Sequence, residues 1–220
     1  ANAQELALKK GIVMDSLPVN DSIARQIILY LPQDFDAGQE WPVLFLCDVE
    51  GDRTKKLRYL KVAADKNGYI LASSGALMDS LSLTDKILTI SKTIDELKDL
   101  LPLDLDRVYT MGYDSGGQLA TIVPSMIRGV NGVLSVASGL PNLSLINPKE
   151  PFDYIGILGR GDYQYTYLLE SEATLDQLKV PNYTLYHPEG HQWPDLVYLD
   201  LGMQMLTLMG MKRGAIPRGD

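Results

Sequence analysis

Three residues far apart in this sequence have side chains that could do chemistry together: Asp114, Asp162 and His191. Asp114 lies within Gly112-Tyr113-Asp114-Ser115-Gly116-Gly117, after the strand-like stretch 107–111. Apolar residues at helical spacing follow it: Leu119, Ile122, Val123, Met126 and Ile127. A strand, a glycine-flanked turn and a helix form the context that exposes one reactive side chain at the apex of the turn. Counted from Gly112 to Gly116, that side chain is the carboxylate of Asp114 rather than the hydroxyl of Ser115. Asp162 closes Gly159-Arg160-Gly161-Asp162 after a second apolar run, and His191 follows a third. An imidazole between two carboxylates can be oriented by one and deliver a proton or a water to chemistry at the other.

The elements that must position these residues read as strands first, then strands alternating with helices. Stretches 10–17 and 24–31 suggest an antiparallel pair, and the short continuous apolar run WPVLFLCD suggests a buried strand. A helix near 56–66 ends at Asn67-Gly68, which fits a C-cap, and strand 69–73 follows. Ile87, Ile90, Ile94, Leu97 and Leu101 recur at steps of three and four, one stripe of an amphipathic helix. Strands are expected at 132–137, 152–159 and 182–187, with helices near 165–178 and from Trp193-Pro194 onward. The apolar positions of the last helix, Leu196, Leu199, Met203 and Leu206, suit a core. This alternation predicts a mostly parallel sheet covered on both faces, with a small antiparallel start. No repeat or linker-like stretch divides it, so residues 1–220 read as a single domain. Loops leaving the carboxyl ends of parallel strands converge on one edge, where Asp114, Asp162 and His191 can meet.

Composition narrows the partners. A formal net charge of −8 over 220 residues argues against nucleic acid or an anionic membrane surface, and leaves a small-molecule substrate or ligand as the expected partner. No apolar run approaches the roughly 20 residues of a membrane helix, so no membrane insertion is expected. The lone Cys47 rules out an intrachain disulfide and reads as core filler at a strand end. Of the two histidines, His187 sits at a strand end and reads as structural or exposed, leaving His191 for the chemistry. The opening ANAQELA has no charged segment followed by an apolar one, and neither compartment nor oligomeric state is legible.

From YLPQDFDAGQEWPVLFLCD to the final helix, the chain resembles the α/β-hydrolase family, and within it the compact feruloyl esterases and polyhydroxybutyrate depolymerases. The likeness rests on Asp104-Leu105-Asp106-Arg107-Val108-Tyr109 before the turn, Gly159-Arg160-Gly161-Asp162, and Gly190-His191-Gln192-Trp193-Pro194, in that order. It implies an α/β-hydrolase fold without a cap domain and a triad of Asp114, His191 and Asp162. It implies no cofactor, and only the resemblance suggests a secreted or periplasmic protein. It also implies a pocket and oxyanion region formed by the Ser115 N–H and the loop Asp48-Val49-Glu50. There the family commonly carries His-Gly, and the apex residue is commonly serine. Carboxylates at Asp48, Glu50 and Asp52 are expected to raise the local negative potential, the wrong sign for an oxyanion hole. Val49 is also less free than glycine in its backbone angles.

Asp114 therefore has three readings. Haloalkane dehalogenases and epoxide hydrolases, relatives within this fold, use an aspartate that attacks carbon and a histidine-activated water that hydrolyses the ester. Those relatives carry a helical cap after the strand that follows the elbow helix. Here 138–153 is too short for one, and Tyr163, Tyr165 and Tyr167 sit on the acid's loop instead. The alternative is a catalytically silent hydrolase-fold binding protein that retains the pocket. A third reading makes Ser115 a shifted nucleophile, but one residue of shift turns its side chain off the apex. Oxygen-rich loops can hold a hard cation, but Asp48, Glu50, Asp52 and Asp114 read as solvated loop carboxylates and no metal is expected.

Overall fold

A computed structural model describes residues 8–19, 21–24, 26–147 and 152–216. The opening ANAQELA, the Asn20 turn position and part of the 138–153 connection lie outside the described residues. Eight strands form one sheet in the order β1-β2-β4-β3-β5-β6-β7-β8. They are β1 (Val13–Pro18), β2 (Gln26–Tyr30), β3 (Trp41–Leu46), β4 (Ile70–Ser74), β5 (Leu103–Tyr113), β6 (Gly132–Val136), β7 (Asp153–Gly159) and β8 (Asn182–His187). β1 and β2 pair antiparallel, β2 joins β4 antiparallel, and every later pair is parallel. Strands β3, β4, β6 and β7 are buried at every position, as parallel strands covered on both faces must be.

The helices divide between the two faces. α1 (Arg53–Asn67) and α5 (Leu196–Arg213) cover one, through Leu57, Leu60, Leu199, Met203 and Leu206. α2 (Leu83–Leu100), α3 (Ser115–Met126) and α4 (Tyr165–Gln177) cover the other, through Ile90, Ile94, Leu97, Leu119, Val123 and Leu175. Local chemistry fixes their ends. Asp52 caps α1 by accepting from the Lys55 N–H, and Gly68 ends it in the left-handed conformation at φ 69°. Ser82 caps α2 and accepts from the Asp85 N–H at 3.2 Å, while its hydroxyl donates to the Asp85 carboxylate. Cys47 is fully buried just beyond β3, where burial and then Asp48 push its thiol pKa well up. It packs in the core, as the sequence suggests.

Of the helically spaced apolar residues after the turn, Leu119, Ile122, Val123 and Ile127 are buried and Met126 is half exposed. One expectation is corrected. The last helix does not start at Trp193-Pro194. It starts at Leu196, after Asp195 in an extended conformation, and the Pro194 carbonyl accepts from the Tyr59 hydroxyl on α1. Between β6 and β7 the described residues hold only a short 3-10 turn, Leu143–Leu145.

Candidate active site

The turn after β5 is built by close backbone packing. A Cβ on Gly112 would lie 2.2 Å from the Gly116 carbonyl, and one on Gly116 would lie 2.2 Å from Asp48 Oδ1. Only glycine at both positions lets the strand fold back onto the helix so tightly. Between them Asp114 takes φ 49° and ψ −116°, a conformation L-residues avoid. Its N–H continues the ladder to the Val136 carbonyl at 3.0 Å, so the sheet holds the strained residue in place. The Asp114 side chain makes no cap bond to α3 and is 43% exposed, free to meet a ligand.

Asp162 and His191 reach the same edge from β7 and β8. Asp162 is buried, with Oδ1 accepting from the Gln164 N–H at 2.8 Å and Oδ2 from His191 Nδ1 at 2.9 Å. With Nδ1 donating to that carboxylate, His191 turns Nε2 toward Asp114, whose Oδ2 lies 3.8 Å away. That gap is too long for a direct hydrogen bond, but a water bonded to Nε2 would touch the carboxylate. The two loops are stitched together: Arg160 N–H donates to the His187 carbonyl at 2.8 Å and Gly161 N–H to the Glu189 carbonyl at 3.0 Å. His187, read as structural or exposed, is fully buried, with Nδ1 2.5 Å from Glu189 Oε2.

Two aromatic rings flank His191, and a third backs one of them. Tyr163 lies against His191 with centroids 4.6 Å apart, Tyr113 at 5.3 Å, and Trp193 stacks on Tyr113 at 5.7 Å. Burial, followed by the charges of Asp114 and Asp162, pushes the Tyr113 phenol up to about 12. The tyrosine run thus divides: Tyr163 joins the site, Tyr165 packs on Tyr186, and the Tyr167 hydroxyl donates to the Leu140 carbonyl.

The Asp48-Val49-Glu50 loop lines a cavity of about 250 Å³ together with Asp114, Ser115 and Trp193. Its electrostatics differ from the expected negative cluster. Asp48 is 2% exposed; its Oδ2 meets Lys56 Nζ at 2.5 Å and its Oδ1 accepts from the Tyr113 N–H at 2.8 Å. Burial raises its pKa against the opposing pull of Lys56, the Tyr113 N–H and Arg53. Asp52 turns to the N-terminus of α1 as its cap. Of the three loop carboxylates Glu50 and Asp52 stand in solvent and Asp48 is buried against Lys56, so the expected wrong-sign field is only partly offset. Sequence reasoning missed Lys56 because a lysine in an early helical turn ordinarily points to water. Its spacing of eight residues from Asp48 gave no signal of its own.

No family model matches this chain, and no match emerges among curated protein sequences. Solved structures do match. Esterase B from Lactobacillus rhamnosis, captured with a phosphonate inhibitor, aligns at TM-score 0.72 and 18% identity, covering 93% of this chain and 89% of that one. S-formylglutathione hydrolase from Staphylococcus aureus aligns at 0.65 and 15%, covering 89% and 95%. Est1E from Butyrivibrio proteoclasticus aligns at 0.68 and 9%, covering 90% and 100%. At such identities the likeness establishes the fold, which is that of the α/β-hydrolases.

Proposed function

We propose that this protein is a hydrolase of small molecules that works through a covalent ester on Asp114. The observation that carries the reading is the orientation of His191: Nδ1 is held by Asp162 at 2.9 Å and Nε2 faces Asp114 Oδ2 at 3.8 Å. An aspartate at the apex needs no base for its first step, because a carboxylate is already a nucleophile at neutral pH. One Asp114 oxygen attacks an electrophilic carbon, and the bond from that carbon to its leaving group breaks with both electrons going to the leaving group. His191 Nε2 then takes a proton from a water as its oxygen adds to the Asp114 ester carbonyl. The tetrahedral centre collapses, the alcohol oxygen leaves with the proton from His191, and the carboxylic acid left on Asp114 releases the water's second proton to solvent, restoring the carboxylate. Asp162 keeps the ring in the tautomer this requires and offsets its transient charge. Ser115 contributes its N–H beside the ester carbonyl, while its side chain, turned outward, takes no part.

Electrophilic capture tests this directly. A His191→Gln variant, incubated separately with a short 1-bromoalkane and a terminal epoxide, is digested and mass-analysed. A stable adduct on Asp114, absent in Asp114→Asn, is expected. No adduct with any such electrophile, with rings and carboxylates otherwise in place, would leave the silent binding protein as the reading.

A further inference from the structure

Of the residues lining the cavity over Asp114, Lys56 alone carries a positive charge. Its ammonium is fixed rather than wandering. Nζ donates to Asp48 Oδ2 at 2.5 Å and to the Glu50 carbonyl at 3.0 Å, and lies 5.6 Å from the centre of the Trp193 ring. A Cβ on Gly51, which stands at φ 71°, would lie 3.8 Å from both the terminal carbon and the nitrogen of Lys56. Asp48 in turn accepts from the Tyr113 N–H, so a single carboxylate sets the ammonium in register with the turn that carries Asp114.

An ammonium has three N–H donors, and among the described residues only two of them find an oxygen. The Arg53 guanidinium lies close by, donating to the Asp48 main-chain carbonyl at 3.4 Å. Lys56 thus holds one donor over for a molecule in the cavity it lines. Charge-assisted bonds from an ammonium are strongest to a carboxylate-type oxygen.

We propose that Lys56 makes this cavity a subsite for the carboxylate group of a small ligand, with the Trp193 ring as its wall. This deepens the hydrolase reading and rests on it only for the catalytic meaning: a ligand anchored by its oxyanion on Lys56 presents its neighbouring carbons to Asp114. The charge of Asp114 opposes the ligand's, so its removal tightens binding.

The test uses sodium acetate as the probe, at constant ionic strength, with the indole N–H resonances of the two tryptophans as the readout. Trp41, buried at the start of β3 with its N–H on the Asp36 carbonyl, is the internal control, and Trp193→Phe assigns the peaks. A saturable shift of the Trp193 signal is expected, at least several-fold tighter in Asp114→Asn. Lys56→Met alone would strand the buried Asp48 charge and could unfold the protein. The paired variant Lys56→Met/Asp48→Asn keeps an oxygen for the Tyr113 N–H and should bind acetate about tenfold more weakly or worse, as loss of one charge-assisted bond predicts. Lys56→Arg should retain binding. Absence of a saturable shift in both the wild type and Asp114→Asn, or unchanged affinity in the paired variant, overturns the subsite. Acetate binding with no Asp114 adduct would overturn the nucleophile alone; the converse would overturn the subsite alone.

Discussion

Asp114 Oδ2 stands 3.8 Å from Nε2 of His191, on the far side of a ring whose Nδ1 is tied to Asp162. The two nitrogens thus have separate tasks, and the second step of the proposed reaction depends on the tie. An Asp162→Asn side chain can donate to Nδ1, which favours the tautomer with its hydrogen on Nε2 and removes the base. Asp114 should still form its adduct, and the adduct should then decay at least about 10²-fold more slowly than in wild type. Intact-mass measurements over time give both quantities. Equal decay rates would show that Asp162 does not orient the ring.

The elbow stores strain that a substitution can release. Asp114 has a positive φ and caps nothing, and its one ionic neighbour is beyond hydrogen-bond length. Glycine occupies that region freely, so Asp114→Gly should stabilise the fold by about 1 kcal/mol while abolishing adduct formation. In a chain of this size that corresponds to a Tm rise of roughly 2–4 °C. A fall in Tm would mean that the Asp114 carboxylate is held by interactions stronger than the strain.

Much of this site is legible in the sequence because its parts are short local patterns. Gly112 and Gly116 are dictated by close contact, and Asp162 follows a strand whose continuous burial shows as an apolar run, while His191 carries its own Gly-His-x-Trp-Pro context. What is not legible depends on closure between distant segments. The buried Asp48 looks like one of three solvated loop acids until Lys56 and the Tyr113 N–H are brought to it. Tyr163 is indistinguishable in sequence from Tyr165 and Tyr167, and only the fold puts its ring on His191. The start of α5 is misread because proline tolerates both the first helical turn and the extended residue before a cap.

Asp48 should make stability depend on pH in a particular direction. Its folded pKa is raised, chiefly by burial, so the native state holds that proton more tightly than the unfolded chain does. The contribution is fully present below the unfolded value, near 3.9, and is lost as pH climbs through the folded value. Asp48→Asn lacks the titration and keeps an oxygen for the Tyr113 N–H. The stability of wild type relative to Asp48→Asn should therefore fall as pH rises from about 4 upward. Urea unfolding of both proteins across that range checks the sign; a relative stability that rises with pH would contradict it.

The last prediction separates the scaffold from its nucleophile. Solved structures sharing this fold include esterases, yet the apex here is Asp114. A carboxylate attacking an acyl ester gives an anhydride, a less favourable exchange than the ester that serine would form. The wild type should therefore turn over p-nitrophenyl acetate no faster than Asp114→Ala. The expected obstacle of a negative loop is reduced, because Asp48 is paired with Lys56 and Asp52 turns to the N-terminus of α1. What remains is the identity of the apex atom, with Nε2 already facing it. Asp114→Ser should then gain p-nitrophenol release at least about tenfold above wild type, a lower bound set by general-base assistance to the serine. Release should be lost again in Asp114→Ser/His191→Gln. Brisk wild-type turnover that disappears in Asp114→Ala would instead make Asp114 an acyl-transfer residue. An inert Asp114→Ser that folds normally would place the fault in the oxyanion loop, where Val49 stands.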